Sequence, residues 1–160
     1  ALIHGGCFGG GVGIASSCDI VIASEDAFFA ITEAKWGLMA APIYPQLIAR
    51  LGVANTRRYS LTCERFNAQK ALEIGLVDEV CATGKLDETA APLIDQLLDC
   101  PPNALAESKA SILECAGLII DDARAANLAE PHARKRLTDE ATEGLNSFIE
   151  KRSPSWRPAP

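Results

Sequence analysis

"HGGCFGGGVGIASSCDIVIA", residues 4–23, places six glycines in its first ten positions and then becomes apolar. The small residues at 11–17 allow a short helix, and the continuous apolar run at 19–23 has the length of a buried strand. Three interpretations of the glycine loop are open: a nucleotide loop, tight turns with close packing, or backbone amides that bind an oxyanion. Nucleotide binding is disfavoured because too few residues separate Gly13 from the strand for a crossover helix, and no phosphate-binding lysine motif follows.

The composition restricts the class of protein. With 160 residues, 48% of them hydrophobic, the chain can bury one core. Its net charge is −6 and its lysines and arginines do not cluster, which argues against a nucleic-acid partner. No apolar run reaches the roughly eighteen residues of a membrane helix, so no membrane partner is expected.

The cysteines indicate the compartment. They stand far apart, with only two histidines in the chain, at positions 7, 18, 63, 81, 100 and 115. Metal sites need closely spaced ligands, so we expect no metal and interpret the cysteines as reduced thiols of a cytoplasmic protein.

Local patterns predict strands and helices in alternation up to about residue 84. The predicted strands are 1–3, 19–23, 27–32 and 76–80, the third of them ending at Glu33. The predicted helices are 11–17, a short one closing at Gly52, 54–62, and one capped by Asn67 and ended by Gly75.

Beyond residue 84 the spacing of apolar residues predicts helices alone. They are expected at 85–99, 103–117, 121–130 and 138–151, with breaks at Pro101-Pro102 and Pro131. The proline-rich tail at 153–160 is expected to be a loose end. The chain therefore divides into a mixed region, 1–84, and a helical region, 85–160.

Three segments together resemble one protein family. They are "IHGGCFGGGVGIASSCDIVIASEDAFFAITEAKWGL", "TRRYSLTCERFNAQKALEIGLVDEV" and "EGLNSFIEKRSPSW", and their order and spacing are similar to those of the enoyl-CoA hydratase/isomerase, or crotonase, superfamily. The resemblance implies an α/β fold. Residues 1–84 would form the later part of the crotonase ββα spiral, and 85–160 a helical C-terminal region used for oligomerisation.

The resemblance also implies what lies around this chain. Members of the family carry about 100 further residues in front, a length typical of a domain. We therefore expect the chain to be the later part of a longer protein and to hold half of a site. The family assembles as trimers or pairs of trimers, so a homotrimer or hexamer is expected.

The family pattern assigns roles to particular residues. Gly10 matches the position whose amide polarises the thioester oxygen, and Gly9 and Gly11 clear space around it. Many hydratases of the family hold the attacking water between two glutamates. Gly13 stands at the first of these positions and Glu33 at the second, so Glu33 is the predicted acid/base.

The residues around Glu33 are expected to shape the pocket. Phe28, Phe29 and Trp36 could surround the carboxyl group with apolar walls and so limit its contact with water. Ile43 and Tyr44 replace a glycine-rich segment found in many relatives, and we interpret them as either part of the acyl pocket or plain packing. Trp36, Ile43 and Tyr44 are thus candidate substrate-binding residues together with Gly9, Gly11 and Gly13.

Three functions are carried forward. The first is hydration of a 2-enoyl-CoA, ranked first because finer motifs resemble bacterial 3-methylglutaconyl-CoA or carboxygeranoyl-CoA hydratases. The second is double-bond isomerisation, which needs only one carboxylate and so suits Gly13. The third is a non-catalytic or truncated module. In the two enzymatic cases the partner is an acyl-CoA thioester, and coenzyme A enters as part of the substrate rather than as a separate cofactor.

Overall fold

The structure is a computed structural model that describes residues 1–158. The last two positions of the predicted tail, 159 and 160, lie outside the described residues. The strands are β1 (Leu2–Ile3), β2 (Gly6–Phe8), β3 (Ile22–Ser24), β4 (Phe28–Ala30), β5 (Phe66–Asn67) and β6 (Glu79–Cys81). The α-helices are α1 (Gly10–Ser17), α2 (Tyr44–Thr62), α3 (Ala68–Glu73), α4 (Leu86–Leu98), α5 (Pro102–Cys115), α6 (Asp122–Arg136) and α7 (Asp139–Ile149). Two 3₁₀ turns, Glu33–Trp36 and Ala41–Ile43, precede α2.

The strands form two small sheets. One is parallel, with the order β1-β3-β6, and pairs Ile22 with both Leu2 and Glu79. In the other, β4 lies parallel to β2 and antiparallel to β5. The Phe29 ring of β4 stacks on Phe66 of β5, with ring centroids 5.6 Å apart. The core between the sheets and helices α1 and α2 consists of fully buried aliphatic and aromatic side chains, among them Val12, Val21, Phe29, Ile31 and Leu47.

The glycine loop enters α1 through a left-handed residue. Gly9 has φ 51°, a value that favours glycine, and it directly precedes the helix. The helix predicted at 11–17 is confirmed, and it starts one residue earlier, at Gly10. The strand β2 inside the glycine loop was not predicted, because only three residues there pair with β4.

Helix α2 contains a break where the sequence predicts one. The helical backbone is interrupted at Gly52, with φ 70° and ψ 166°, so the two predicted helices form one bent element. Just before the break, Arg50 donates hydrogen bonds to the carbonyls of Cys18 (2.6 Å) and Asp19 (2.9 Å) and to the Asp78 carboxylate (3.1 Å). Arg50 thereby connects the end of α1 to the segment that leads into β6.

The predicted ends of α3 are also confirmed. The Asn67 side chain accepts a hydrogen bond from the Lys70 amide at 2.9 Å, as a helix N-cap does. Gly75 follows the helix with φ 82°. A Cβ at Gly75 would lie 2.9 Å from the Arg50 carbonyl oxygen, so close packing against α2 also requires glycine there.

Several predicted boundaries were wrong. The strand expected at 27–32 ends at Ala30, and Glu33 begins a 3₁₀ turn instead of ending a strand. The strand expected at 19–23 is shorter and begins at Ile22. Pro131 does not end α6, which runs on to Arg136. A proline removes one helical hydrogen bond, but α6 packs along the second 3₁₀ turn and His132 Nδ1 donates to the Met39 carbonyl at 2.6 Å.

The four C-terminal helices have different neighbours. Helix α4 lies on the parallel sheet and buries Ala90, whereas α5 buries none of its residues. Helices α6 and α7 pack on the second and first 3₁₀ turns, respectively. Within residues 1–158, none of the helices combines the length and apolar character that crossing a bilayer requires.

Candidate active site

The Glu33 carboxyl group lies against the backbone of the glycine loop. A Cβ at Gly9 would be 3.1 Å from Glu33 Oε1 and 3.3 Å from Thr32 Oγ1. Because any side chain at this position would press on the carboxyl group, glycine is what allows the contact. The structure therefore brings together Gly9 and Glu33, two predicted site residues that are distant in the sequence.

The first amide groups of α1 have no hydrogen-bond acceptor within the helix. The Gly9 carbonyl accepts hydrogen bonds from the amides of Val12 (2.9 Å) and Gly13 (3.4 Å), and no side chain of the described residues caps the helix. The amides of Gly10 and Gly11 precede these donors, so the helix provides no acceptor for them. A Cβ at Gly10 would meet no atom of residues 1–158 within 4 Å, and at Gly11 the nearest is Cys7 Sγ at 3.6 Å. An oxygen that gains negative charge can therefore approach this helix terminus, which favours anions.

One oxygen of Glu33 has no partner. Glu33 Oε2 is buried, and no hydrogen bond to it is found among residues 1–158. Buried carboxylate oxygens in proteins are normally hydrogen-bonded, because leaving them unpaired is costly. An unpaired oxygen on a carboxyl group that lies against the glycine loop is suited to exchanging a proton with a bound molecule.

Ile43 occupies the space beside Gly13. A Cβ at Gly13 would lie 2.8 Å from Ile43 Cβ and closer still to its Cγ2, so the present arrangement admits no side chain at position 13. The site thus has an aliphatic group at the position where many hydratases carry a second glutamate. Ile43 also packs against the core of the mixed region.

Tyr44 faces a different space from Ile43. It lines a cavity of about 580 Å³ between the start of α2 and the connection from α5 to α6, together with Ile48, Arg124 and Leu128. Burial raises the pKa of the Tyr44 phenol, and the nearby Glu33 charge raises it further. Ile43 is not among the residues that line this cavity.

The three aromatic residues expected around Glu33 each pack on another ring. Phe29 stacks on Phe66, and Phe28 meets Phe8 edge to face, with centroids 5.4 Å apart. Trp36 lies 4.6 Å from the Phe148 ring of α7. The rings of Phe8, Phe66 and Phe148 therefore pack against these three side chains.

Helix α7 approaches the first 3₁₀ turn closely, a contact that was not predicted from the sequence. A Cβ at Gly144 would lie 2.5 Å from the carbonyl carbon of Trp36, and one at Gly37 would lie 2.6 Å from the Glu140 carbonyl oxygen. Glycines on both elements let the two backbones touch. A glycine inside an amphipathic helical pattern is the signal that could have indicated such packing at Gly144.

The acidic, histidine and cysteine side chains of the described chain form no candidate metal centre. Over residues 1–158, no group of three or more of them is placed to hold a metal ion. The glycine loop with Glu33 is therefore the candidate site to which the comparisons with known proteins apply.

The sequence model of the enoyl-CoA hydratase/isomerase family matches residues 1–159. The chain belongs to this family. A similar member is the carnitinyl-CoA dehydratase of Proteus mirabilis, which is 32% identical over 98% of this chain and 62% of its own length. Another is the peroxisomal Delta(3,5)-Delta(2,4)-dienoyl-CoA isomerase of Arabidopsis thaliana, 30% identical over 98% of this chain and 56% of the isomerase.

A solved member of the family shares the fold. The crystal structure of an enoyl-CoA hydratase from Mycobacterium avium superposes with a TM-score of 0.87 and 38% identity, over 97% of this chain and 61% of the hydratase. The predicted family and its crotonase-like α/β fold are thus confirmed. The chain spans about three fifths of the length of these relatives. They do not support the finer resemblance to 3-methylglutaconyl-CoA hydratases, which stays a prediction.

Proposed function

We propose that this chain, in its full natural length, adds water to a 2-enoyl-CoA thioester with Glu33 as the acid/base. The observation that carries the proposal is the placement of the Glu33 carboxyl group against Gly9, the residue before the free Gly10 amide, with Oε2 buried and unpaired among residues 1–158. The names of family members, a dehydratase and a hydratase among them, give further support.

The proposed reaction moves one proton through Glu33. The carboxylate takes a proton from water while the water oxygen bonds to C3. The C2–C3 π electrons move onto the thioester oxygen, where the Gly10 amide donates to the enolate. The protonated Glu33 then gives its proton to C2, the thioester carbonyl re-forms, and the carboxylate is regenerated. Only protons and water are exchanged, so the proposal invokes no cofactor besides the coenzyme A of the substrate.

Isomerisation is the second candidate because of Gly13. With Ile43 against Gly13, position 13 provides no second carboxylate to hold the water. In the isomerase reaction Glu33 removes a proton from C2 of a 3-enoyl-CoA and returns it to C4, while the double bond moves to C2–C3. One carboxylate suffices for both steps.

A comparison of two substrates with two variants tests the proposal. Crotonyl-CoA and a 3-enoyl-CoA are supplied separately to the full-length wild type, to Glu33→Gln and to the control Glu64→Gln, which changes a half-buried carboxylate paired with Arg58. We expect Glu33→Gln to lose at least about 100-fold in kcat, as removal of a general acid/base does, and the control to match wild type. Turnover of crotonyl-CoA supports hydration, and turnover of the 3-enoyl-CoA alone supports isomerisation. If Glu33→Gln retains both activities, Glu33 is not the acid/base.

The acyl group is part of the same proposal. The resemblance to hydratases of branched substrates leads us to propose a methyl-branched 2-enoyl-CoA as the preferred substrate. A higher kcat/KM for 3-methylglutaconyl-CoA than for crotonyl-CoA would support it, and the reverse order would contradict it.

A further inference from the structure

Two glycines of the glycine loop contact the two ends of the segment 33–43. Gly9 and Gly13 lie one helical turn apart, since the Gly13 amide donates to the Gly9 carbonyl at 3.4 Å. Gly9 contacts Glu33, which begins the segment 33–43, and Gly13 contacts Ile43, which ends it. The segment therefore rests on the start of α1 at both of its ends.

The contact at Gly13 is rigid. The Ile43 atoms that a Cβ at Gly13 would overlap include its own Cβ, 2.8 Å away, so the overlap is not confined to the flexible end of the side chain. Isoleucine branches at Cβ and has few rotamers. The Ile43 amide also donates a hydrogen bond to the Ala40 carbonyl at 3.1 Å. The segment cannot slide along α1 without Ile43 leaving the surface of Gly13.

We propose that Ile43 is a positioning residue that sets where the Glu33 carboxyl group lies relative to the Gly10 amide. This inference rests on the proposed function, because it assigns Ile43 a role in the proton transfer by Glu33. Ile43 acts through the segment 33–43 and α1, since α1 carries the amide and the segment carries the carboxyl group. Its contribution is expected in the rate of proton transfer, which depends steeply on the placement of the reacting groups.

Hydrogen exchange at C2 isolates that step. In D₂O, the Glu33 carboxylate removes a C2 proton from butyryl-CoA, the enolate oxygen is held at α1, and a deuteron returns to C2 after the carboxyl proton exchanges with solvent. No water adds, so the assay does not depend on how water is bound. The rate is followed by mass spectrometry on the full-length protein, and thermal unfolding shows whether each variant is folded.

Four variants test the role of Ile43. We expect Ile43→Ala to lose about tenfold or more in the maximal exchange rate with KM changed less than about twofold. Ile43→Val keeps the atoms nearest to Gly13 and is expected to retain the wild-type rate. Ile43→Leu keeps the volume but moves the branch, and it is expected to lose rate even if Ile43→Ala fails to fold. Ile74→Ala is the matched control, because Ile74 is also half-buried and packs on the same core.

The outcomes separate this inference from the proposed function. Wild-type exchange in folded Ile43→Ala or Ile43→Leu, or a change in KM alone, would overturn the positioning role, and so would an equal loss in Ile74→Ala. Glu33→Gln is measured alongside. If Glu33→Gln abolishes exchange while the Ile43 variants do not, only the positioning role fails. If Glu33→Gln exchanges like wild type, the proposed function fails, and this inference fails with it.

Discussion

The substitution Gly144→Ala tests whether α7 holds the catalytic segment in place. A Cβ at Gly144 would lie 2.5 Å from the Trp36 carbonyl carbon and 2.9 Å from the Trp36 Cα, whereas ordinary contacts begin at 3.4 Å. To accept the methyl group, the two backbones must separate by at least about 0.9 Å, the difference between 3.4 and 2.5 Å, because the Trp36 carbonyl oxygen lies closer still. Trp36 and Glu33 belong to the same 3₁₀ turn, so the carboxyl group moves with it.

Two effects of opposite sign compete in this variant. Alanine is favoured over glycine in a helix by about 1 kcal/mol, and overpacking costs about 1–3 kcal/mol. The net change in the free energy of unfolding is therefore small, a loss of about 0–2 kcal/mol. A 1 Å misplacement of a reacting group, in contrast, lowers the rate by about 100-fold, which corresponds to about 2.7 kcal/mol in the activation free energy.

The assay is the kcat for the substrate that the wild type turns over, together with the unfolding temperature. We expect Gly144→Ala to lose about 100-fold in kcat while remaining folded. Asn146→Ala, an exposed position on the same helix, serves as the control and should match wild type. If Gly144→Ala raises the unfolding temperature and keeps kcat within about twofold, helix propensity alone governs this position and α7 does not position Glu33.

Three further predictions concern stability and assembly. Arg50→Ala removes the donor to the carbonyls of Cys18, Asp19 and Leu76 and one of the donors to the Asp78 carboxylate, which keeps its hydrogen bond from the Val21 amide. It should lower the free energy of unfolding by about 2–3 kcal/mol in chemical denaturation, whereas the exposed Arg58→Ala should change it much less. The bond to Arg152 lowers the pKa of Glu143 from 4.5 to about 2, so its charged form contributes stability above pH 4.5 that is lost as the pH falls towards 2. Glu143→Gln should remove that part of the pH dependence, and an unchanged slope would contradict the assignment. In sedimentation the full-length protein should be a trimer or hexamer, and Ile112→Asp on α5, where Ile112 is 66% exposed, should shift it to smaller species; a monomeric wild type would refute assembly.

Local chemistry in the sequence was enough to predict several elements. The helix after the glycine loop, the cap at Asn67 and the breaks at Gly52 and Gly75 all follow from the conformations that these residues favour over a few positions. The boundary at Glu33 was wrong, because the aromatic and β-branched pattern continues after β4 has lost its pairing partner. The helix break predicted at Pro131 was wrong, because packing of α6 overrides the local preference of proline.

Prediction of the candidate site needed both local sequence patterns and contacts between residues that are distant in the sequence. The family pattern indicated Glu33 and Gly10, and the structure places Glu33 beside the glycine loop. The partners in the contacts of Gly13 with the Ile43 side chain and of Gly144 with the Trp36 backbone could not be predicted, because the contacting residues are far apart in the sequence. A single sequence shows that a glycine is present but does not show which neighbour requires it.

The order β1-β3-β6 has a consequence for the synthesis of the chain. β3 is the central strand, and its partner β6 is made only after β4, α2, β5 and α3 have been added. A nascent chain therefore presents one open edge of β3, with unpaired backbone groups, during the translation of all the residues between them. Pairings of such long sequence separation form slowly, so this interval is when a chaperone would protect the chain from aggregation.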